Sequence, residues 1–338
     1  MKPFNTASAA MRLAAAITGI ALGCAATGAW AQEKIALRIA SVLEGSSSIY
    51  VGLDLFKKRV EELSKGRVQV TLYKGTLGKG ERQLYEAAQL GTIEGLVAST
   101  GPLSAFVPEA DLFNLPFLFK NPQHAFKVVD GDIGEDFNKK AIAKGYRILG
   151  WWIIGMRNTS NRTRAINSPN DYKGLKIRTM ESPPFIALYK AMGAVPVPMS
   201  ITEVYTALSQ GTIDGIDGSL ASQLEFKHIE VLKYAAVTDH VVLFFPFAVS
   251  ERWFQGLPKD MQQAIVSAEA EARPVERRAD EAYNKGIEAE WVKQGKTVTH
   301  PDLAPFRQAA ESTYGQFYDK VGGKPLVDRI RAMGEEMK

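Results

Sequence analysis

The pattern of apolar and polar positions predicts strands and helices that alternate along the first half of the chain. Leu53, Phe56 and Val60 recur at helical spacing, and Gly66 follows at a position where helices commonly end. Short apolar stretches on either side of this helix have the length of strands. The predicted elements are strands at 34–40, 68–73 and 96–99 and helices at 48–65, 82–90 and about 122–144. This alternation is typical of an α/β domain.

Two longer apolar segments, at 146–156 and 241–250, flank a second compact α/β stretch. Two long strands of this kind predict two domains joined by paired crossings, an arrangement in which a cleft between the domains can open and close. A long charged helix from about 259 to 294 would bridge the domains, with Pro274 bending it or splitting it in two.

A short strand in the second half ends on an arginine. In the segment 173–178, Leu175 and Ile177 alternate with Lys176 and Arg178, which places Arg178 at the carboxyl end of the strand. Ligands of open α/β sheets lie outside these strand ends, and a guanidinium fork matches a carboxylate in two parallel hydrogen bonds. Arg178 is therefore a candidate for binding an organic anion, with a surface ion pair as the alternative.

The amino terminus predicts export. Lys2 and Arg12 precede an apolar run that ends near Gly23, and Ala29-Trp30-Ala31 supplies the small residues of a cleavage site after Ala31. The apolar run, at about 11 residues, is shorter than the roughly 20 that a membrane span needs. We expect a cleaved signal peptide and a periplasmic protein, and lipid anchoring through Cys24 is the alternative.

Composition and motifs argue against several other classes of protein. Loss of Lys2 and Arg12 would lower the net charge from +4 to +2, and no dense run of basic residues indicates nucleic-acid binding. The only cysteine lies in the predicted leader. The four histidines lack zinc-ligand spacing, GTLGKG at 75–80 lacks the end of a Walker sequence, and no GxSxG occurs. We expect no metal, no cofactor and no enzymatic activity.

The block that contains Arg178 resembles the signature of the periplasmic substrate-binding subunits of TRAP transporters, the DctP family. The matching pieces are KGLKIR at 173–178, GAVPVPM at 193–199, EVYTAL at 203–208 and DG at 214–215. Similar segments include LGKGERQLYEAAQLGTIEG at 77–95 and KHIEVLKYAAVTDH at 227–240. The resemblance therefore covers nearly the whole chain after the predicted leader.

The resemblance implies a fold and a function. It implies a two-domain α/β fold of the periplasmic-binding-protein kind, with domain one at 32–154 plus 243–282 and domain two at 155–242 plus 283–338. It implies a monomer that captures a dicarboxylate or a sugar acid and delivers it to the small and large TRAP membrane subunits. An aromatic or branched monocarboxylate is the next choice of ligand, and a receptor that serves a sensor is the alternative function.

The resemblance also suggests ligand contacts. Arg178 matches the family's carboxylate-binding arginine, and Arg157 resembles its second arginine, although Arg162 could be the equivalent. Glu81 and Arg82 begin a helix beside the expected cleft, Ser99 and Thr100 follow a strand, and Glu44 precedes the first helix. Each of these positions could instead serve as a cap, a turn residue or an ion pair.

The chain departs from its relatives on one side of the expected cleft. Many relatives have DGQEN where this chain has DGIDG at 214–218, so Gly218 replaces an asparagine that often contacts the ligand. Phe245 lies near a position that is polar in some relatives, and Trp152 could stack on a ligand or belong to the core. Asp217 and Glu181 could bind hydroxyl groups or repel a second carboxylate. We expect a pocket that is more apolar on this side.

Overall fold

The computed structural model describes residues 34–45, 47–75 and 80–336. The predicted signal peptide and Cys24 lie outside these residues, as does the glycine-lysine segment at 76–79. In the part of the chain that is described, no helix combines the length and the apolar composition that a membrane crossing requires.

Within the described residues, nine strands form one mixed sheet in the order β2-β1-β3-β8-β4-β7-β5-β6, and β9 pairs with β8 at one end of that strand. The strands β1, β2 and β3 are mutually parallel, and so are β5, β6 and β7, while β8 and β4 run antiparallel between these groups. The strands are β1 Ile35–Ser41, β2 Val68–Lys74, β3 Gly95–Val97, β4 Tyr146–Asn161, β5 Lys176–Thr179, β6 Val195–Pro198, β7 Gly215–Ser219, β8 Tyr234–Ser250 and β9 Thr297–Thr299.

The long strands β4 and β8 are the crossings between the two parallel groups. They extend over 16 and 17 residues, further than the apolar pattern predicted. The additional part of β4 is polar but buried: Thr159 accepts a hydrogen bond from Tyr172 at 2.8 Å, and Asn158 donates to Asp239 at 3.0 Å. Hydrophobic periodicity therefore could not reveal it. The pairing of β4 with β8 shifts register three times, once between Ile153 and Met156.

Helices cover the sheet. They are α1 Ser48–Leu63, α2 Glu81–Leu90, α3 Thr100–Leu103, α4 Pro122–Val129, α5 Asp132–Ala143, α6 Pro183–Ala191, α7 Ile201–Ser209, α8 Leu220–Glu225, α9 Glu251–Gln255, α10 Lys259–Asn284, α11 Ile287–Lys293, α12 Ala304–Tyr314, α13 Tyr318–Val321 and α14 Lys324–Glu335. Short 3-10 helices occur at Pro108–Asn114, Pro169–Tyr172 and His228–Glu230. The expected helical stretch at 122–144 is thus two helices, divided at Asp130 and Gly131.

The long helix α10 continues through Pro274, so the prediction that proline could split it is wrong. The break comes instead at Lys285 and Gly286, before α11. Proline inside a helix removes one hydrogen bond and costs about 3 kcal/mol. Burial of the inner face of α10, which includes the larger side chains of Met261 and Ile265 as well as Ala268 and Ala272, offsets this cost.

The packing of α1 fixes one wall of the site described below. Phe56 packs edge-on against Phe247 of β8, with ring centroids 4.8 Å apart. At Gly52 a β-carbon would lie 2.8 Å from both Trp152 and Glu276, so only glycine allows α1 to approach this closely. The amino-terminal end of α1 is thereby held against the crossing strands.

Candidate ligand-binding cleft

A cavity lies at the carboxyl ends of β1, β3, β5 and β7, beside the crossing strands. The volume open to a water-sized molecule is about 30 Å³, far below the roughly 300–1,000 Å³ of occupied small-molecule sites. Its lining residues are Val42, Leu43, Glu81, Ser99, Arg157, Arg178, Met180, Ile201, Gly218, Ser222, Phe226, Leu243 and Phe245. Strand ends and helix starts from distant parts of the chain thus converge on one space.

Arg157 of β4 is held by a buried ion pair. Its Nε donates to Asp217 Oδ1 at 3.0 Å, and its Nη2 donates to the Asp217 carbonyl at 2.6 Å. His240 Nε2 lies 3.1 Å from the same carboxylate oxygen, and the Arg157 guanidinium lies over the Phe185 ring at 4.7 Å. Burial opposes ionisation of Asp217, but the Arg157 charge and His240 outweigh it and hold the Asp217 pKa below its ordinary value. The charge of Arg157 is therefore balanced within the protein.

Arg178 of β5 is the second buried guanidinium, and it has no such counterion. Its Nε and Nη2 donate to the Met199 carbonyl at 3.0 and 2.8 Å, and the residue is 4% exposed. Among the described residues, no carboxylate lies within ion-pair distance of it. Burial, and then the neighbouring charge of Arg157, lowers the Arg178 pKa to about 10, so the side chain stays cationic at neutral pH. Arg178 thus presents a positive charge that no ion pair within the described residues neutralises.

Glu81, the first residue of α2, faces the two arginines from the other side of the cavity. Its oxygens accept hydrogen bonds from the Ser99 amide at 2.8 Å and the Ser99 hydroxyl at 2.5 Å. Burial raises the Glu81 pKa, and the hydrogen bonds from Ser99 and the charges of the arginines oppose this shift only in part. The group can accept a hydrogen bond when ionised and donate one when protonated.

A polar mouth adjoins the cavity and shares Glu81, Arg178, Met180 and Ile201 with it. Arg82 and Glu181, both singled out from the sequence, line this mouth rather than the cavity. Arg82 pairs with Glu86 of the same helix at 3.3 Å.

Several contacts connect the two sides of the cleft. The Glu44 amide donates to Glu225 at 2.8 Å, and the Ser182 hydroxyl donates to Asp111, also at 2.8 Å. Burial raises the Glu225 pKa to about 7. These contacts join the β1–β3 region to the β5–β7 region.

The structure brings together half of the residues proposed from the sequence. Six of the twelve line the cavity: Arg178, Arg157, Glu81, Ser99, Gly218 and Phe245. Of the two candidates for the second arginine, Arg157 lines the cavity, whereas Arg162 lies outside it and donates to the Leu208 carbonyl at 3.2 Å.

Four proposed residues lie elsewhere. Asp217 is completely buried behind Arg157. Thr100 donates to Asn114 at 2.7 Å, and the exposed Glu44 contributes its amide to the contact across the cleft. Trp152 packs against Phe247 and donates its indole N–H to Glu269 at 2.9 Å. We leave these four side chains out of the proposed contact surface, although Asp217 positions Arg157.

Sequence patterns indicate the other lining residues only weakly. Met180 and Ile201 lie close to the signature block in sequence, so their proximity to Arg178 was a usable signal. No sequence signal identifies Phe226 and Leu243 as lining residues, because their local pattern is the same for a cavity wall as for the core. The spacing of the histidines suggests no role for His240, whose Nε2 lies within hydrogen-bond distance of the Asp217 carboxylate. No group of metal-ligand side chains occurs among the described residues.

The chain matches known proteins over most of its length. The family model described as bacterial extracellular solute-binding protein, family 7 (DctP) matches residues 39–321. The chain is 38% identical over 306 residues to a solute-binding protein of Verminephrobacter eiseniae, covering 90% of this chain and 91% of that protein.

Two solved structures of TRAP periplasmic solute-binding proteins are similar to the chain over most of its length. One, from Bordetella, has pantoate placed in its density; it is 33% identical with a TM-score of 0.85, and the match covers 89% of this chain and 99% of that one. The other, from Polaromonas, is bound to D-erythronate; it is 33% identical with a TM-score of 0.84, covering 89% and 98%. The fold described above is therefore shared with both.

Proposed function

Since the chain belongs to the bacterial extracellular solute-binding protein family 7, the DctP family, we propose that it captures a small organic carboxylate in the cleft and delivers it to TRAP membrane subunits. Members of this family are periplasmic binding components of transporters, and the chain is not an enzyme. Pantoate and D-erythronate, the ligands of two similar structures, are both hydroxy acids with one carboxylate.

The observation that carries the proposal is the buried guanidinium of Arg178. Burying a charge without a counterion is costly, and a protein that retains one gains from an anionic ligand that supplies the missing partner. The Nη1 atoms of Arg178 and Arg157 make no hydrogen bond within the described part of the chain. They supply the donors for a carboxylate.

Capture requires that the ligand contact both sides of the cleft. Glu81 and Ser99 belong to the proposed domain one, whereas Arg157, Arg178 and Gly218 belong to the proposed domain two. The register shift of β4 between Ile153 and Met156 lies at the proposed boundary between the domains. We propose that the domains close about this point when ligand is bound, because bound ligand interacts with both only in the closed state.

The test is binding by purified protein that has been unfolded and refolded to remove any ligand. Thermal shift against organic acids should show a raised melting temperature with at least one carboxylate, since a ligand that binds only the folded state stabilises it. Arg178→Ala should weaken that binding at least tenfold, a loss of about 1.4 kcal/mol. Arg162→Gln is the matched control and should change the affinity by less than about twofold, because Arg162 lies outside the cavity.

Two results would contradict the proposal. One is the lack of a shift with any carboxylate in the panel. The other is an equal loss of affinity in Arg178→Ala and Arg162→Gln, which would mean that the cleft does not bind the acid through Arg178. In cells, deletion of the gene should abolish uptake of the acid identified in vitro.

A further inference from the structure

We infer that the cleft is built for a small branched monocarboxylate with one or two hydroxyl groups, and that Gly218 sets this preference. This inference rests on the proposed function and narrows it. It differs from the expectation of a dicarboxylate or a polyhydroxylated sugar acid. Four observations support it: the net charge of the site, the apolar side chains of its walls, the small number of free hydrogen-bonding groups and the space at Gly218.

The charges of the site leave room for one negative charge on the ligand. Arg157 and Arg178 contribute two positive charges, and Asp217 balances that of Arg157. Glu81 contributes a negative charge or none, so the ionisable groups sum to +1 at most. A second ligand carboxylate would be buried without a cation whichever state Glu81 adopts. Among the residues that the structure describes, the mouth adds no surplus positive charge, since Arg82 is paired with Glu86 and both Glu181 and Glu203 lie beside it.

The walls are mostly hydrocarbon. Seven of the thirteen lining residues have apolar side chains, namely Val42, Leu43, Met180, Ile201, Phe226, Leu243 and Phe245. Five of these seven are less than a tenth exposed. Apolar surface of this kind favours aliphatic groups over hydroxyl-bearing carbons.

Few polar groups remain for ligand hydroxyls. The Ser222 hydroxyl already donates to the Ser219 carbonyl at 2.9 Å, and the Ser99 hydroxyl donates to Glu81. With the guanidinium groups assigned to the carboxylate, Glu81 is the main remaining partner and the oxygens of Ser99 and Ser222 can accept. A six-carbon sugar acid carries more hydroxyl groups than these partners can satisfy, and each unpaired hydroxyl would lower its affinity.

Gly218 leaves space that a side chain could occupy. A β-carbon there would be in ordinary contact with the Ser222 hydroxyl at 3.6 Å and with the Gln223 amide at 3.8 Å. Its backbone conformation is not one that demands glycine. The missing side chain is therefore a property of the cavity rather than of the strand, and it makes room for a branch on the ligand.

The experiment is isothermal titration of refolded protein with four acids. They are 2-hydroxy-3-methylbutanoate, its unbranched isomer 2-hydroxypentanoate, the dianion succinate and the polyhydroxylated monoanion glucuronate. We expect the branched acid to bind at least tenfold tighter than its isomer and at least a hundredfold tighter than succinate or glucuronate.

Substitution of Gly218 tests the specificity determinant. Gly218→Asn should weaken binding of the branched acid at least tenfold and narrow its advantage over glucuronate. The added methyl group of Gly218→Ala has room, so this variant should give a smaller loss of affinity for the branched acid. It keeps the test valid if the asparagine variant does not fold. Gly315→Asn is the matched control, because a β-carbon at this exposed turn meets nothing within 4 Å.

The outcomes separate this inference from the proposed function. If succinate or glucuronate binds tightest and its binding depends on Arg178, the inference is overturned while carboxylate capture stands. If no carboxylate binds, both are overturned. If the branched acid is preferred but both Gly218 variants retain full affinity, Gly218 is not the determinant.

Discussion

Two regions of this protein bury charged side chains, and they differ in what those side chains bind. The cleft buries Arg157 and Arg178, whereas the contact between α10 and the crossing strand buries Glu269, Glu276 and Asp280. Arg178 donates only to a carbonyl and has no counterion among the described residues. The acids of α10 accept hydrogen bonds from groups that the fold itself brings to them. The cleft thus keeps a charge that no ion pair of the described residues neutralises, whereas hydrogen bonds and bound protons satisfy the acids of the structural contact.

The contacts of the three acids connect α10 to the centre of the molecule. Glu269 accepts from the Trp152 indole at 2.9 Å and from Arg273 at 2.9 Å. Glu276 accepts from the Ser48 hydroxyl at 3.2 Å, and Asp280 accepts from the Gly155 amide at 3.1 Å.

Burial raises the pKa of all three acids, and the Asp280 charge raises that of Glu276 further. One Glu276 oxygen has no hydrogen-bond partner among the described residues, which is compatible with a protonated carboxyl group. Glu276 and Asp280 form no ion pair in the described part of the chain, so a bound proton neutralises them, whereas Arg178 keeps its charge for the ligand.

The largest expected effect concerns the balanced arginine of the cleft. Arg157→Gln should lower the free energy of unfolding by about 3–5 kcal/mol, because Asp217 would remain buried without its cation. The double variant Arg157→Gln/Asp217→Asn should recover at least half of the loss, measured by urea unfolding. Simply additive losses in the double variant would show that the ion pair is not the cause.

The second largest expected effect is the pH dependence of stability that Asp280 of α10 causes. Burial raises the Asp280 pKa from 3.8 to about 7, so the folded protein holds a proton that the unfolded chain releases between these values. Asp280 contributes up to about 4 kcal/mol to the free energy of unfolding, and this contribution is fully present below pH 3.8. It falls as the pH rises and is lost above about pH 7. In Asp280→Asn the decline between pH 4 and 7 should be smaller than in the native protein. Parallel stability curves for the two proteins would contradict the assignment.

The smallest expected effect is on the stability of Arg178→Gln without ligand. Since no carboxylate loses its partner, the free energy of unfolding should change by less than about 1 kcal/mol, although ligand affinity falls. Urea unfolding of the refolded, ligand-free protein measures this. A loss as large as that of Arg157→Gln would erase the distinction between the two arginines.

Local patterns in the sequence predicted much of the fold. The family and the α/β fold with crossing strands are confirmed by the comparisons. The predicted helix at 48–65 and strand at 68–73 correspond to α1 and β2 within two residues. Arg178 could be proposed as a ligand contact because its position depends on a short strand and on the direction of that strand. The break of the long helix was misplaced, since proline propensity is a local property and the packing of α10 overrides it.

The sequence by itself determined the alternation of strands and helices and the placement of Arg178 at a strand end, because both follow from periodicities of a few residues. Only the tertiary structure decided that Arg157 rather than Arg162 faces the cavity, that Asp217 pairs with it from 60 residues away, and that Trp152 turns to α10. The physical reason lies in β4. A shift of one residue in strand pairing reverses the faces of all following side chains, and β4 shifts register on both sides of Arg157. Those shifts are set by long-range packing, which no local pattern records.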